Sequence, residues 1–109
     1  MSSKLGDYIV EYRYRVDPIH RPRMLELLAE VRGHVLDMGL NAFEVWVQEE
    51  DPWGFTELHG YDSWSHYQRV SQKASSPEMT RIYDEMDRLI EGGFAKLEHR
   101  SWTPCRWPK

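Results

Sequence analysis

Cysteine, extended apolar runs and clustered positive charge are all scarce in this chain, and each scarcity removes a class of explanation. A single cysteine, Cys105, stands among 109 residues, so no intrachain disulfide can form and a reducing compartment is expected. With one thiol, structural zinc is not expected either. The five histidines recur at no fixed interval, and His34 with Asp37 lacks a third ligand, so no metal site is expected. No stretch approaches the roughly 20 apolar residues of a membrane span. Residues 1–6 carry one lysine with no apolar run behind it, unlike a secretory leader, and a cytoplasmic location is expected. Formal charge is −4 with no Lys/Arg block, so the phosphate-neutralising patch of a nucleic-acid binder is missing and no nucleic-acid partner is expected. What is present suffices for a core: hydrophobic residues make up 40% and aromatics 13% of the chain, too apolar for disorder. One domain over 1–109 is expected, with a short arm at 1–6 and an irregular tail at 103–109.

Periodicity switches along the chain in an informative order. Over 7–17, Tyr8, Val10, Tyr12, Tyr14 and Val16 alternate with Ile9, Glu11, Arg13 and Arg15, which predicts a strand with two unlike faces. Asp17-Pro18 breaks it, and Pro22 fits only near a helix start. Met24, Leu27, Leu28, Val31, Val35 and Met38 then recur at helical spacing until Gly39. A second strand is predicted over 40–50, with Phe43, Val45 and Val47 on one face. Asp51-Pro52-Trp53-Gly54 makes a turn, because proline presets φ and glycine tolerates a positive one. The third strand, 55–61, sets Phe55, Glu57, His59 and Tyr61 against Thr56, Leu58 and Gly60. Asp62 or Ser63 caps a short helix to about residue 73, and Ser75-Ser76-Pro77 starts another, whose stripe of Met79, Ile82, Tyr83, Met86, Leu89 and Ile90 ends at Gly92-Gly93. A last strand is predicted over 94–102.

Two strand-helix-strand units in series imply an α+β fold, the ferredoxin-like βαββαβ type, with a four-stranded antiparallel sheet and its helices on one face. The uncovered face is expected to carry Ile9, Trp46, Phe55, Tyr61 and Phe94 among Glu11, Arg13, Glu44, Glu57, His59, Lys96, Glu98 and Arg100. Aromatic side chains bury about 150–250 Å² each, so several on one open sheet predict association, most simply as a homodimer.

From residue 8 to 102 the chain resembles the dimeric α/β barrel superfamily, in particular the domains related to antibiotic biosynthesis monooxygenases and the NIPSNAP group. It is also similar to the soluble domain that trails some major-facilitator exporters. The resemblance is sharpest in Glu49-Glu50-Asp51-Pro52-Trp53-Gly54-Phe55 and in Tyr61-Asp62-Ser63-Trp64, similar to that group's hairpin and its helix start after strand three. It implies two sheets meeting face to face and a small organic ligand held between sheet and helices or inside the barrel. Two departures stand out. Where many members carry a histidine, about seven residues beyond the helix-opening tryptophan, this chain has Ser71, with His66 off register. The asparagine that haem-degrading relatives place on the first strand is absent, since Asn41 is the chain's only one.

Among the residues themselves, His59 near Glu57 could serve as a general base close to neutral pH, or be an interface histidine bonded to a strand neighbour. Trp46, Trp64, Tyr61 and Tyr83 could wall a pocket for a flat organic molecule, or be ordinary packing. Arg13 could hold a developing anion, or pair with the carboxylates of its own face. The resemblance to the monooxygenase-related domains implies a small-molecule-binding protein, with these residues as its candidate site. If it is an enzyme, it is a cofactor-independent monooxygenase or isomerase using no bound cofactor, with His59 as base, Arg13 stabilising the anion, and Trp46, Trp64, Tyr61, Tyr83, Glu57 and Ser71 around an aromatic or polyketide-like substrate. The alternative is a non-catalytic ligand-sensing or dimerisation module of the same fold, favoured by the loss at Ser71.

Overall fold

Four strands and three helices follow one another as β1 (Tyr8–Arg15), α1 (Arg21–Met38), β2 (Ala42–Val47), β3 (Gly54–Tyr61), α2 (Trp64–Ser71), α3 (Pro77–Leu89) and β4 (Glu98–Trp102) in a computed structural model that describes residues 4–108. Residues 1–3 of the expected arm and residue 109 of the expected tail lie outside the described residues. The sheet order is β2-β3-β1-β4, and every neighbouring pair is antiparallel. This is the ferredoxin-like βαββαβ arrangement the periodicities imply.

Each helix begins and ends for a local reason. Asp17 accepts from the Ile19 amide at 3.0 Å, turning the chain through the 3-10 segment Pro18–His20 into α1. Pro22, in the first turn of α1, loses no hydrogen bond there. Gly39 closes α1 at φ 118°, a conformation that costs a side-chain-bearing residue dearly. Ser63 caps α2 by accepting from the His66 amide at 3.2 Å, and Ser76 caps α3 by accepting from Met79 at 3.1 Å. The buried stripes Met24, Leu27, Leu28, Val31 and Val35 of α1 and Met79, Ile82 and Met86 of α3 lie in one core with Val10, Tyr14, Phe43 and Phe55 of the sheet.

The register of β3 corrects one sequence-based expectation. Phe55, Glu57, His59 and Tyr61 stand opposite Tyr14, Tyr12, Val10 and Tyr8 of β1, while Val47, Val45 and Phe43 of β2 flank the first three of them. All therefore share the helix-covered face, not the open one. The hairpin decides this: the Gln48 amide donates to the Gly54 carbonyl at 2.9 Å, which aligns Val47 with Phe55. Slipping by one residue would expose every one of these side chains. Polar character alone misplaces Glu57 and His59, because a buried polar pair is tolerated when its hydrogen bonds are met.

The ends of the sheet differ too. The last strand starts at Glu98 instead of residue 94, since Phe94–Lys96 forms a 3-10 turn held by an Asp87 carboxylate that accepts from the Phe94 amide at 2.7 Å. Phe94 and Lys96 thus leave the sheet. The open face carries Ile9, Glu11, Arg13 and Arg15 on β1, Glu44 and Trp46 on β2, Thr56 and Leu58 on β3, and Glu98, Arg100 and Trp102 on β4.

Candidate functional site

Glu57 is the one buried charged side chain among the described residues, 6% exposed. An isolated carboxylate there would cost several kcal/mol. Two donors offset that cost. The Tyr14 hydroxyl donates to Oε2, and Nε2 of His59 lies 3.0 Å from Oε1. An ionised carboxylate only accepts, so the network assigns the proton to Nε2 and leaves the lone pair on Nδ1. The His59 ring packs between Tyr12, with centroids 4.9 Å apart, and Phe43, at 5.0 Å. Strand alternation builds this arrangement, since Glu57 and His59 are two residues apart on one face and Tyr14 and Tyr12 project from the neighbouring strand.

Tyrosines enclose the pair. Burial first, then the charge and hydrogen bond of Glu57, push the Tyr14 phenol well above its ordinary range. Tyr12 is pushed up to about 12, by burial and then by Tyr67 and Glu57. Tyr83 on α3 rises through burial and the Glu57 charge, and Tyr61 rises through burial and then its phenolic neighbours Tyr12 and Tyr67. Each therefore stays a neutral hydrogen-bond donor at physiological pH. Tyr61, Tyr67 and Tyr8 pack edge-on and tilted at 5.2 to 6.4 Å, and Tyr8 donates to Ser101 on β4 at 3.2 Å. From His59 the rings of Tyr12 and exposed His99 lead toward solvent at β4, the latter two with centroids 6.3 Å apart. No lysine or arginine occupies a helix-facing position of any described strand. Such surroundings suit a weak acid such as a phenol or enol better than a carboxylate or phosphate, which would meet the Glu57 charge with no lysine or arginine on the strands to offset it.

Of the residues the sequence singled out, Glu57 and His59 meet directly, Tyr83 lies within electrostatic range of Glu57, and Tyr61 belongs to the adjoining tyrosine cluster. Arg13 does not join them: it pairs with Thr56 on the opposite sheet face and leans on Glu11 at 3.6 Å. Trp46 is also on that face, 60% exposed, its indole donating to Glu44 at 3.1 Å. Trp64 opens α2 and is 57% exposed, beside a shallow depression of about 420 Å³ that also includes Tyr8 and Arg106. Ser71 is exposed at the end of α2, its hydroxyl donating to the Gln68 carbonyl at 3.1 Å. A wider depression of about 770 Å³ opens on the uncovered sheet face between Arg13, Arg15, Trp46, Thr56 and Glu98. Neither depression is lined by His59, and the open one has the breadth of a contact surface. Sequence reasoning missed Tyr12, Tyr14 and Phe43. The signal was available in the joint alternation of Tyr12 and Tyr14 with Val10 and of Phe43 with Val47, once the hairpin is used to align β2 with β3.

Solved structures share this fold over nearly the whole chain. SnoaB, a cofactor-independent oxygenase from Streptomyces nogalater, matches with a TM-score of 0.72 at 10% identity, over 94% of this chain and 96% of that one. A conserved protein from Methanosarcina mazei matches at 0.71 and 14% identity, over 92% and 94% of the two chains. An antibiotic biosynthesis monooxygenase matches at 0.64 and 13% identity, over 93% and 99%. No family model and no curated protein matches the sequence. At these identities the likeness is one of fold.

Proposed function

We propose that this chain, folded as the antibiotic biosynthesis monooxygenase-like proteins are, binds a small hydroxyaromatic or polyketide-like molecule between sheet and helices, and that His59 Nδ1 removes its phenolic or enolic proton. The observation that carries this reading is the buried Glu57 carboxylate held between Tyr14 and His59. Glu57 stabilises the imidazolium formed when Nδ1 takes the proton. The neutral tyrosines supply donors toward the anion left behind. Dioxygen is the oxidant in one path, adding to the carbanion form of that anion, with one oxygen atom kept as a carbonyl oxygen of the product and the other leaving as water; in the other path the anion is reprotonated at carbon in an isomerisation.

The open face completes the proposal as the contact with a second copy of the chain. Trp46 and Trp102 are 60% and 49% exposed there. Between them Oε2 of Glu11 is buried without a hydrogen bond, although Arg100 and Arg13 stand 3.4 and 3.6 Å away. A partner surface would cover the indoles and exclude water from this ion cluster. Arg13 then acts at the subunit contact.

Thermal-shift screening against hydroxyaromatic compounds, followed by oxygen-uptake and isomerisation assays on each hit, tests the reading. A hit is expected to be turned over, and His59→Ala to slow turnover by about 10²–10⁴-fold with binding retained. Binding without turnover would leave a ligand-sensing module instead, and a hit turned over unchanged by His59→Ala would refute His59 as the base.

A further inference from the structure

We propose that Tyr14 is a positioning residue that fixes the orientation of the Glu57 side-chain terminus, turning Oε1 to the His59 N–H, while the carboxylate, which can only accept, keeps the lone pair on Nδ1. This rests on the reading of His59 as the base, but what it asserts is the orientation of the group at position 57, which the His59 proton reports with no substrate present. Three features carry it. Tyr14 is 6% exposed and stacks on Phe55 with centroids 5.8 Å apart and planes 16° from parallel, so its hydroxyl has little freedom. That hydroxyl meets one oxygen of Glu57 while His59 meets the other. With one oxygen engaged by Tyr14, the carboxylate cannot rotate freely, and Oε1 remains for the His59 N–H.

The carboxamide analogue exposes the logic. In Glu57→Gln, Tyr14 still needs an acceptor, because an unmet hydroxyl in the core is costly. It therefore takes the amide oxygen and turns the NH₂ toward His59. An NH₂ can only donate, so Nε2 must become the acceptor and the proton must move to Nδ1. Removing the tyrosine hydroxyl as well frees the amide to flip, present its oxygen to Nε2, and restore the original tautomer.

The titratable groups around His59 are Glu57 on its own strand and Tyr12 on β1 with His99 of β4 beyond it, and Tyr83 of α3 is within electrostatic range of Glu57. Phe43 on β2 contributes no charge. Tyr12 and Tyr83 remain neutral at neutral pH, so Glu57 is the charge that Tyr14 modulates.

Ring ¹⁵N spectra of the full chain, with His59 assigned by its loss in His59→Gln, provide the test. The unmodified chain is expected to show protonated Nε2, Glu57→Gln to show protonated Nδ1, and Tyr14→Phe/Glu57→Gln to regain Nε2 protonation in at least part of the population. Should the double variant fail to fold, the near-isosteric Tyr14→Phe alone is measured, and its His59 Nε2–H is expected to exchange with water faster than in the unmodified chain, because the carboxylate is no longer held in place. The inference is overturned if Glu57→Gln keeps Nε2 protonated, if the double variant keeps the tautomer of Glu57→Gln, or if Tyr14→Phe leaves the Nε2–H exchange rate unchanged. Loss of turnover is not the readout, so a non-catalytic His59 and a misassigned Tyr14 give different results.

Discussion

A tyrosine hydroxyl given to a buried carboxylate makes its contribution in two currencies, stability and proton position. Tyr14→Phe leaves Oε2 of Glu57 without its donor, and hydrogen bonds to charged groups contribute about 1.5–3 kcal/mol. Urea denaturation is expected to show a loss of that order with an unchanged slope. The phenols also predict alkaline behaviour. Tyr12, Tyr14, Tyr61 and Tyr83 all have folded values above their ordinary ones, so the unfolded chain releases these protons first. Their contribution is complete below about pH 10 and is lost as pH rises toward the folded values. A thermal midpoint falling steeply above about pH 10, with phenolate absorbance appearing together with unfolding, is the expected signature. On the acid side Asp51 and Glu85 are held low by Arg15 and Arg23. Their contribution is present above the usual carboxylate range and is lost as pH falls below it. Both pairs are at the surface, so added salt is expected to blunt this acid effect.

Helix ends and strand registers show how the elements place these residues. His66, early in α2, accepts from the Asp62 amide on Nδ1 at 2.9 Å and reaches the Gly39 carbonyl with Nε2 at 2.8 Å. It ties the end of α1 to the start of α2, and that structural use accounts for a histidine at this position. His66→Ala is expected to cost about 1–3 kcal/mol through two unpaired backbone groups, read as a lower thermal midpoint, while the His59 tautomer stays as it is. The helices themselves were legible residue by residue, because Pro22, Gly39, Ser63, Ser76 and Pro77 each carry their instruction locally. Strand β3 was not. Both of its faces mix apolar and polar residues, so its orientation depends on pairing with β2, a relation between segments that no single stretch records.

The whole molecule is a sheet with helices over one face and indoles on the other, extending 49 × 35 × 23 Å. Burying Trp46 and Trp102 against a second copy would remove apolar area at about 25 cal/mol per Å². A charge in that contact would be left unpaired. Sedimentation is therefore expected to show a dimer for the native chain and a monomer for Trp46→Asp, with the far-UV spectrum preserved. A monomeric native chain would remove the second copy from the proposal and leave the His59 site as it stands. The expectation of an aromatic open face was right for Trp46 and wrong for Phe55 and Tyr61, whose rings belong to the core. The same reversal separated Arg13 from His59 by the sheet itself.

The order of periodicities, the caps and the turn residues determined the element sequence and the ferredoxin-like topology, because those signals act within a few residues. Only the tertiary structure decided which side of the sheet holds Glu57 and His59, and that Tyr14 meets them. A strand's two faces are distinguished by what packs on them. Here a carboxylate and an imidazole could enter the core because a tyrosine more than forty positions away in sequence supplied the hydrogen bond that made their burial tolerable.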